Sequence, residues 1–382
     1  MKKEYFALSL SFFSCMACAD APSAVTTLTS TFEITNRAIE SATISSTDHT
    51  MSYYDEKGNG LYKISDKYTD ANITDIQGTS TTDAPNQQLS LKRNQSLVRI
   101  TLTGKNLGHK ITVLGKLANS SVSVVEYTGT FHWDGFRNTG CNKVVPNGYT
   151  GLTGGSITYE ITSSNDVTQN CTGKTLSYDF VPHRVNVSGR YRDFYLDIGR
   201  LQNDAEYRKA PPDTYTGSGT FNGDQLVGHG GGAYLLNYAN NITIVKNPYF
   251  EGVTMPSGDN VFDTRTTGGQ IKGNLVIPYV INGQFTPYNT VSLNVTSLNG
   301  FKLKNAGSRA EIPYSLSTTV GSQRVYPLAK DGKSSGSVTI SNLEAESYAI
   351  QGRFNADFSI DKNSAQTGDY SDTLTAIFQI TL

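Results

Sequence analysis

The chain is short of charge, of cysteine and of long apolar runs. Only 17% of its 382 residues are charged, and Lys+Arg 32 against Asp+Glu 33 leave a net charge of −1. No polyanion-binding signal arises from that total, and no nucleic-acid partner is expected. Helix-favouring residues at helical spacing are scarce, and no amphipathic helix longer than two turns can be read. The apolar fraction of 37% is low for a globular enzyme. It suits thin antiparallel sandwiches, whose strands bury one face. What is abundant is glycine (36 residues), tyrosine (22), threonine, serine and asparagine. Such a composition builds short strands joined by turns. The expectation is an all-β protein, with room for two or three domains.

The N-terminus has the layout of an export signal. Lys2 and Lys3 precede a short apolar run around Tyr5–Phe13, and Ala17-Cys18-Ala19 forms an A-x-A cleavage site. Residues 1–19 are therefore expected to be a signal peptide; lipidation at Cys15 or Cys18 is the alternative. Cleavage after Ala19 leaves Cys141 and Cys171 out of four cysteines. An even pair in an exported chain reads as a disulfide, against free thiols or a metal pair. No histidine adjoins either cysteine, and no metal or cofactor is expected.

The sequence says nearly the same thing twice. FEITNRAIESATI (Phe32–Ile44) aligns without gaps to TIVKNPYFEGVTM (Thr243–Met255), matching Asn36 with Asn247 and Glu40 with Glu251. GRYRDFYLD (Gly189–Asp197) returns as GRFNADFSID (Gly352–Asp361), and DTYTGSGTF (Asp213–Phe221) echoes GDYSDTLTAIF (Gly368–Phe378). Three blocks in the same order imply two copies of one domain type. Glu40 to Arg190 spans 150 positions and Glu251 to Arg353 spans 102, so the first copy carries about 48 more. That surplus includes Trp133, the only tryptophan, and is the first place to look for a working surface.

Period-two segments recur at 97–107, 121–130, 156–162, 185–198, 275–281, 291–295 and 337–340. Tyr207–Asp213 is not expected to be regular, because of its Pro-Pro pair. Residues 223–238, with consecutive glycines, read as a linker between a domain at 20–222 and another at 239–382. From Leu374 the even positions Leu374, Ala376, Phe378, Ile380 and Leu382 are apolar, which describes a half-buried strand. A strand edge left open beside it would invite a strand from another chain.

At this point a family resemblance becomes specific. IPYSLSTT (Ile312–Thr319), ISNLEAESYAIQGRFNADFSID and QTGDYSDTLTAIFQITL, with the turn Gly368-Asp369-Tyr370, look like the end of a chaperone–usher fimbrial subunit. Thr381 stands where the best-known branch has an aromatic residue, so the resemblance is nearer the alternate, class 5 colonisation-factor type. It covers residues 243–382. The resemblance implies two tandem immunoglobulin-like β-sandwich domains, the second incomplete and completed by a donor strand. It implies a periplasmic chaperone, an outer-membrane usher and the next pilin subunit as partners. It also implies display at the tip of a fimbrium, where residues 20–222 bind a host glycan or glycoprotein. The donor-strand groove would be lined by Leu374, Ala376, Phe378, Ile380 and Leu382. A structural pilus subunit or assembly initiator without a receptor is the alternative, and residues 20–31 would be the donor extension of such a subunit.

Receptor-binding candidates are Trp133, Arg137 and Tyr149, an aromatic and guanidinium cluster near Cys141 suited to sugar recognition. Arg192 and the pair Arg208-Lys209 join them as a cationic series. Trp133 as a core plug beside the disulfide is the competing reading. Two hydrolase-like strings, Gly332–Gly336 (GKSSG) and His229–Gly232 (HGGG), lack the strand-then-helix setting of a nucleophile elbow. No enzyme activity is expected.

Overall fold

Strands dominate because β-branched and aromatic residues alternate with polar ones through most of the chain. The computed structural model describes residues 25–46, 51–56, 58–68, 73–76, 89–93, 96–125, 132–139, 141, 146–148, 156–164, 166–178, 185–228, 233–321, 324–343 and 349–382. Two apolar cores divide them. One runs from Leu28 to Ile244 and the other from Tyr279 to Phe358.

The described strands of the first unit form one sheet. Its main path runs Ala38–Ser46, Val25–Thr35, Ala233–Asn247, Asp213–Gly228, Leu97–Gly104, Lys110–Val125, Val185–Asp197, Leu61–Tyr68 and Met51–Asp55. The sheet curls until its two ends meet, with Tyr53 Oη donating to the Ala42 carbonyl at 3.1 Å. Curling shelters Phe32, Ile34, Leu102, Tyr215 and Ile244 completely. The second unit is a sandwich. One layer includes Tyr249–Thr254, Gln270–Gln284, Ala349–Asp361 and Ser315–Val320; the other holds Val338–Ile340, Thr290–Ser297 and Leu374–Thr381. The all-β, two-unit expectation is met.

The linker expected at 223–238 is a correction. Asp213–Gly228 and Ala233–Asn247 pair antiparallel as a long hairpin, Asn222 opposite Asn237 and Val227 opposite Ala233. Glycines permit a hinge but equally permit close strand pairing, and only the partner strand decides. The first unit therefore extends to Asn247, and the chain crosses between units at Pro248.

The internal repeat also takes an unexpected form. Val25–Thr35 and Ala233–Asn247 lie parallel and adjacent in the same sheet, Phe32 beside Ile244 and Thr35 beside Asn247. The matched blocks are neighbours that diverge after Asn36 and Asn247. Ala38–Ser46 folds back on its own strand, whereas Tyr249–Thr254 continues into the second unit and pairs with Gln270–Gln284. The segment 25–31, considered as a donor extension, is built into this sheet beside Ala233–Asn247, and from Leu28 onward it lies between two partners, with Leu28 and Ser30 buried.

Tyr207–Asp213 is partly regular. Ala205–Lys209 makes one helical turn, capped by Asp204 Oδ1, which accepts from the Tyr207 amide at 2.9 Å. Pro211 and Pro212 then stop it.

Candidate functional site

The second unit presents a groove. Leu374–Thr381 pairs with Thr290–Ser297 on one side, and no described strand pairs with its other edge. Leu374, Ala376, Phe378 and Ile380 face the second core but stay only half-buried. Leu382, expected among them, lies beyond the strand and is 59% exposed. It is corrected to a surface residue.

The opposite wall comes from Gln270–Gln284. One edge of that strand pairs with Ala349–Asp361 throughout. Its other edge pairs with Tyr249–Thr254 at Val280–Gln284 and with Asp263–Thr267 at Gln270–Asn274. Between them, Leu275–Tyr279 has no described partner on that side. Leu275 and Ile277 are half-buried there, and both pack on the same core as Phe378. Phe378 spans the groove floor, its ring centroid 5.3 Å from Tyr279 and 6.5 Å from Phe354. Tyr279 is buried, hydrogen-bonds Thr318 Oγ1 at 2.7 Å, and has its phenol pushed up to about 12 by burial. It is a fixed floor with no acid–base part to play. Two open ladder edges above an apolar floor are what an added strand requires.

Residues singled out in the first unit scatter. Cys141 and Cys171 form the expected disulfide, at a Cα–Cα distance of 4.8 Å. Trp133 and Arg137 belong to His132–Thr139, which pairs with Thr172–Tyr178 next to that bridge, Trp133 opposite Ser177 and Arg137 opposite Lys174. Their side chains, and Tyr149 entirely, lie outside the described residues. Arg192 is a correction as a surface contact: it is 3% exposed within Val185–Asp197. That strand buries Arg192, Asp193, Phe194, Tyr195 and Leu196 in succession, because material covers both its faces. Arg208 and Lys209 are exposed on the Ala205–Lys209 turn, where the two units meet. Arg208 Nε donates to the Gln202 carbonyl at 3.1 Å.

Buried cations surround the disulfide, which sequence reading missed. Arg93 is 1% exposed; it donates to the carbonyls of Leu117 and Ala118, to Ser120 Oγ, and to Cys171 Sγ at 3.6 Å. Lys116 Nζ donates to the Asp166 carbonyl at 2.8 Å. Both are spent on backbone carbonyls, an anchoring role for the loop the bridge closes. Among the described residues no group of three or more His, Cys, Asp or Glu could hold a metal, and no helix is long and apolar enough to cross a membrane. In the GKSSG string, Lys333–Ser334 is a two-residue strand followed by another strand at Val338–Ile340, with no helix between. The HGGG string lies outside the described residues.

No family model matches the chain, and no curated protein does. Solved structures do. The chain is similar to a chaperone–tip adhesin complex of CFA/I fimbriae biogenesis, at TM-score 0.36 and 13% identity over 92% of this chain and 96% of that one. It is similar to CfaE, the adhesive subunit of the CFA/I fimbria of enterotoxigenic Escherichia coli, at TM-score 0.33 and 11% identity over 92% and 97%. A third is the CsuC–CsuE chaperone–tip adhesion subunit pre-assembly complex from archaic Csu pili of Acinetobacter baumannii, at TM-score 0.29 and 12% identity over 94% and 99%. Likeness at this level fixes neither family nor activity.

Proposed function

We propose that the chain is a fimbrial tip or minor-tip adhesin, whose second unit joins the pilus by accepting a donor strand and whose first unit binds a host glycan or glycoprotein. The observation that carries this reading is the groove between Leu374–Thr381 and Leu275–Tyr279, with two ladder edges that have no partner among the described residues, over half-buried Phe378, Ile380, Leu275 and Ile277. An extended segment with apolar side chains at every second position would pair with the free edge and fill the floor. A periplasmic chaperone supplies such a strand first, an usher presents the subunit, and the neighbouring pilin replaces the strand. The sequence resemblance over 243–382 and the groove point the same way.

The tip position, rather than an internal one, is supported by Val25–Thr31. An internal subunit lends its early segment to a neighbour, whereas here Val25–Thr27 pair with Ala233–Asn247 and Leu28–Thr31 pair on both edges inside their own sheet. For receptor contact, the strand carrying Trp133 and Arg137 and the exposed Arg208-Lys209 pair remain the residues to test.

The decisive experiment adds a donor-strand peptide from a companion pilin to the full chain. Binding should raise the unfolding midpoint of the second unit alone, and Phe378→Asp should abolish it. Failure of the full chain to bind any companion donor strand, with both cores folded, would reject the assembly role. Equal adhesion to host cells by a chain lacking residues 20–247 would leave the receptor-free alternative in its place.

A further inference from the structure

A cleft of about 250 Å³ opens where the two units meet, and its lining includes no residue of Leu275–Tyr279, of Leu374–Thr381 or of His132–Thr139. The first unit contributes Arg37, from the turn between its first two strands, along with Tyr207, Arg208 and Lys246; the second contributes Glu251 and Gln284. We propose that this cleft binds a carboxylated sugar of a single ring, a uronic acid, through its carboxylate and its hydroxyls together.

Arg37 and Arg208 are placed to take the carboxylate. Both are exposed, both line the cleft, and neither forms an ion pair with a described carboxylate. Two guanidinium groups without a described ion pair, sharing one concavity, attract a planar anion; Arg208 keeps its two terminal nitrogens for it, since its Nε is held by the Gln202 carbonyl. Lys246 sits behind them, 5% exposed, over the Tyr207 ring at 4.4 Å, with Nζ donating to the carbonyls of Tyr207 and Ala210. Its Nζ is already held by those carbonyls and does not compete for the ligand's hydrogen bonds.

Two acceptors are placed to take the hydroxyls. Gln284 is fully buried, and its Nε2 donates to the Arg208 and Ala210 carbonyls at 3.3 and 2.8 Å. Those bonds fix which end of the amide is which. Gln284 Oε1 then accepts from no described residue, although it is buried. A buried acceptor without a donor is costly and is normally satisfied by what occupies the site it lines. Glu251 adds a second acceptor: Asn36 Nδ2 donates to its Oε1 at 3.0 Å and holds the carboxylate in the cleft. Facing guanidinium donors and fixed acceptors select a ligand that is anionic at one side and donates hydrogen bonds at the other. A neutral sugar fails the first requirement and a simple carboxylate fails the second. The volume lies below the roughly 300–1,000 Å³ of drug-sized sites, which limits the occupant to about one ring.

The test titrates the full chain with D-galacturonate, D-galactose and acetate by calorimetry at neutral pH, each to about 10 mM. Saturable binding of galacturonate, with at least tenfold weaker response to galactose and to acetate, is the expected result. Arg37→Ala/Arg208→Ala should weaken it tenfold or more, while Lys272→Ala, exposed on the far part of Gln270–Gln284, leaves it unchanged. Both variants alter exposed side chains, so folding is checked by an unchanged unfolding midpoint. Galactose binding as well as galacturonate, acetate matching it, an unaffected double variant, or no galacturonate binding would each overturn the proposal. The test stands apart from the adhesin reading, because none of its residues belongs to the donor-strand groove.

Discussion

The opening strand Val25–Thr35 and the final strand Leu374–Thr381 carry the same alternation and meet opposite fates. Leu28, Phe32 and Ile34 are at most 1% exposed, while Leu374, Ala376, Phe378 and Ile380 remain half-buried. The opening strand has a partner on each edge, and the curled sheet closes over its apolar face. The final strand has one described partner. An alternating strand thus declares which face is apolar, but neighbours decide whether that face is core or docking surface.

The largest expected effect breaks the comparison at its two phenylalanines. Phe32→Ala should cost about 3–5 kcal/mol, with or without a donor strand, because its site is already closed. Phe378→Ala should cost only about 1–2 kcal/mol in the free chain and approach the Phe32 value once a donor strand is bound. Urea unfolding with two resolved transitions measures both; equal costs in the free chain would remove the distinction. Next in size is the disulfide. Replacing Cys141 and Cys171 by alanine should lower the first unit's stability by about 3 kcal/mol, for a loop of 30 residues, and leave the second transition in place.

Smaller again is the glycine of the repeated motif. A Cβ on Gly352 would overlap the Tyr279 ring under the groove, so Gly352→Ala should cost about 1–3 kcal/mol, seen in the second transition only. The mildest change concerns pH at the junction. Burial lowers the Lys246 ammonium to about 7, against 10.5 for an ordinary lysine, although two carbonyl bonds and the Tyr207 face favour its charge. Below about pH 7 the lysine is charged in both folded and unfolded chains, and this source of stability is missing. Between about 7 and 10.5 only the unfolded chain holds the extra proton, so stability rises with pH by at most about 1.4 kcal/mol per unit. Lys246→Met should flatten that slope in stability curves measured from pH 6 to 10; an identical slope in the variant would contradict the assignment.

Much of the fold was legible because its signals are local. Segments such as 97–107, 185–198 and 374–382 announce strands through period two, and Cys141 and Cys171 pair as expected. Arg192 misled because an arginine in an alternating strand reads as solvent-facing, yet layers cover both sides of Val185–Asp197. The glycines misled for the converse reason: consecutive glycines suit a hinge and a hairpin connection equally. Only the pairing of Asp213–Gly228 with Ala233–Asn247 on either side of residues 229–232, which lie outside the described residues, shows a hairpin. Gln284 and Lys246 carried no signal as isolated residues. Asn36 and Glu251 did stand in the matched blocks, but the blocks suggested equivalent places in two domains, whereas the structure joins the two residues by one hydrogen bond.

The sequence alone determined that the chain is built of strands, which face of each is apolar, and that one disulfide closes the 141–171 loop. These follow from side-chain period and from the even count of cysteines, signals that act within a few residues or through a single bond. Tertiary structure alone decided that Asp213–Gly228 and Ala233–Asn247 pair within the first sheet, that the repeated blocks lie side by side, that an apolar groove stays open beside Leu374–Thr381, and that Arg37, Arg208, Glu251 and Gln284 share a cleft. Each of these depends on which strand edges find partners outside their own segment, and that pairing is set by the packing of the whole sheet.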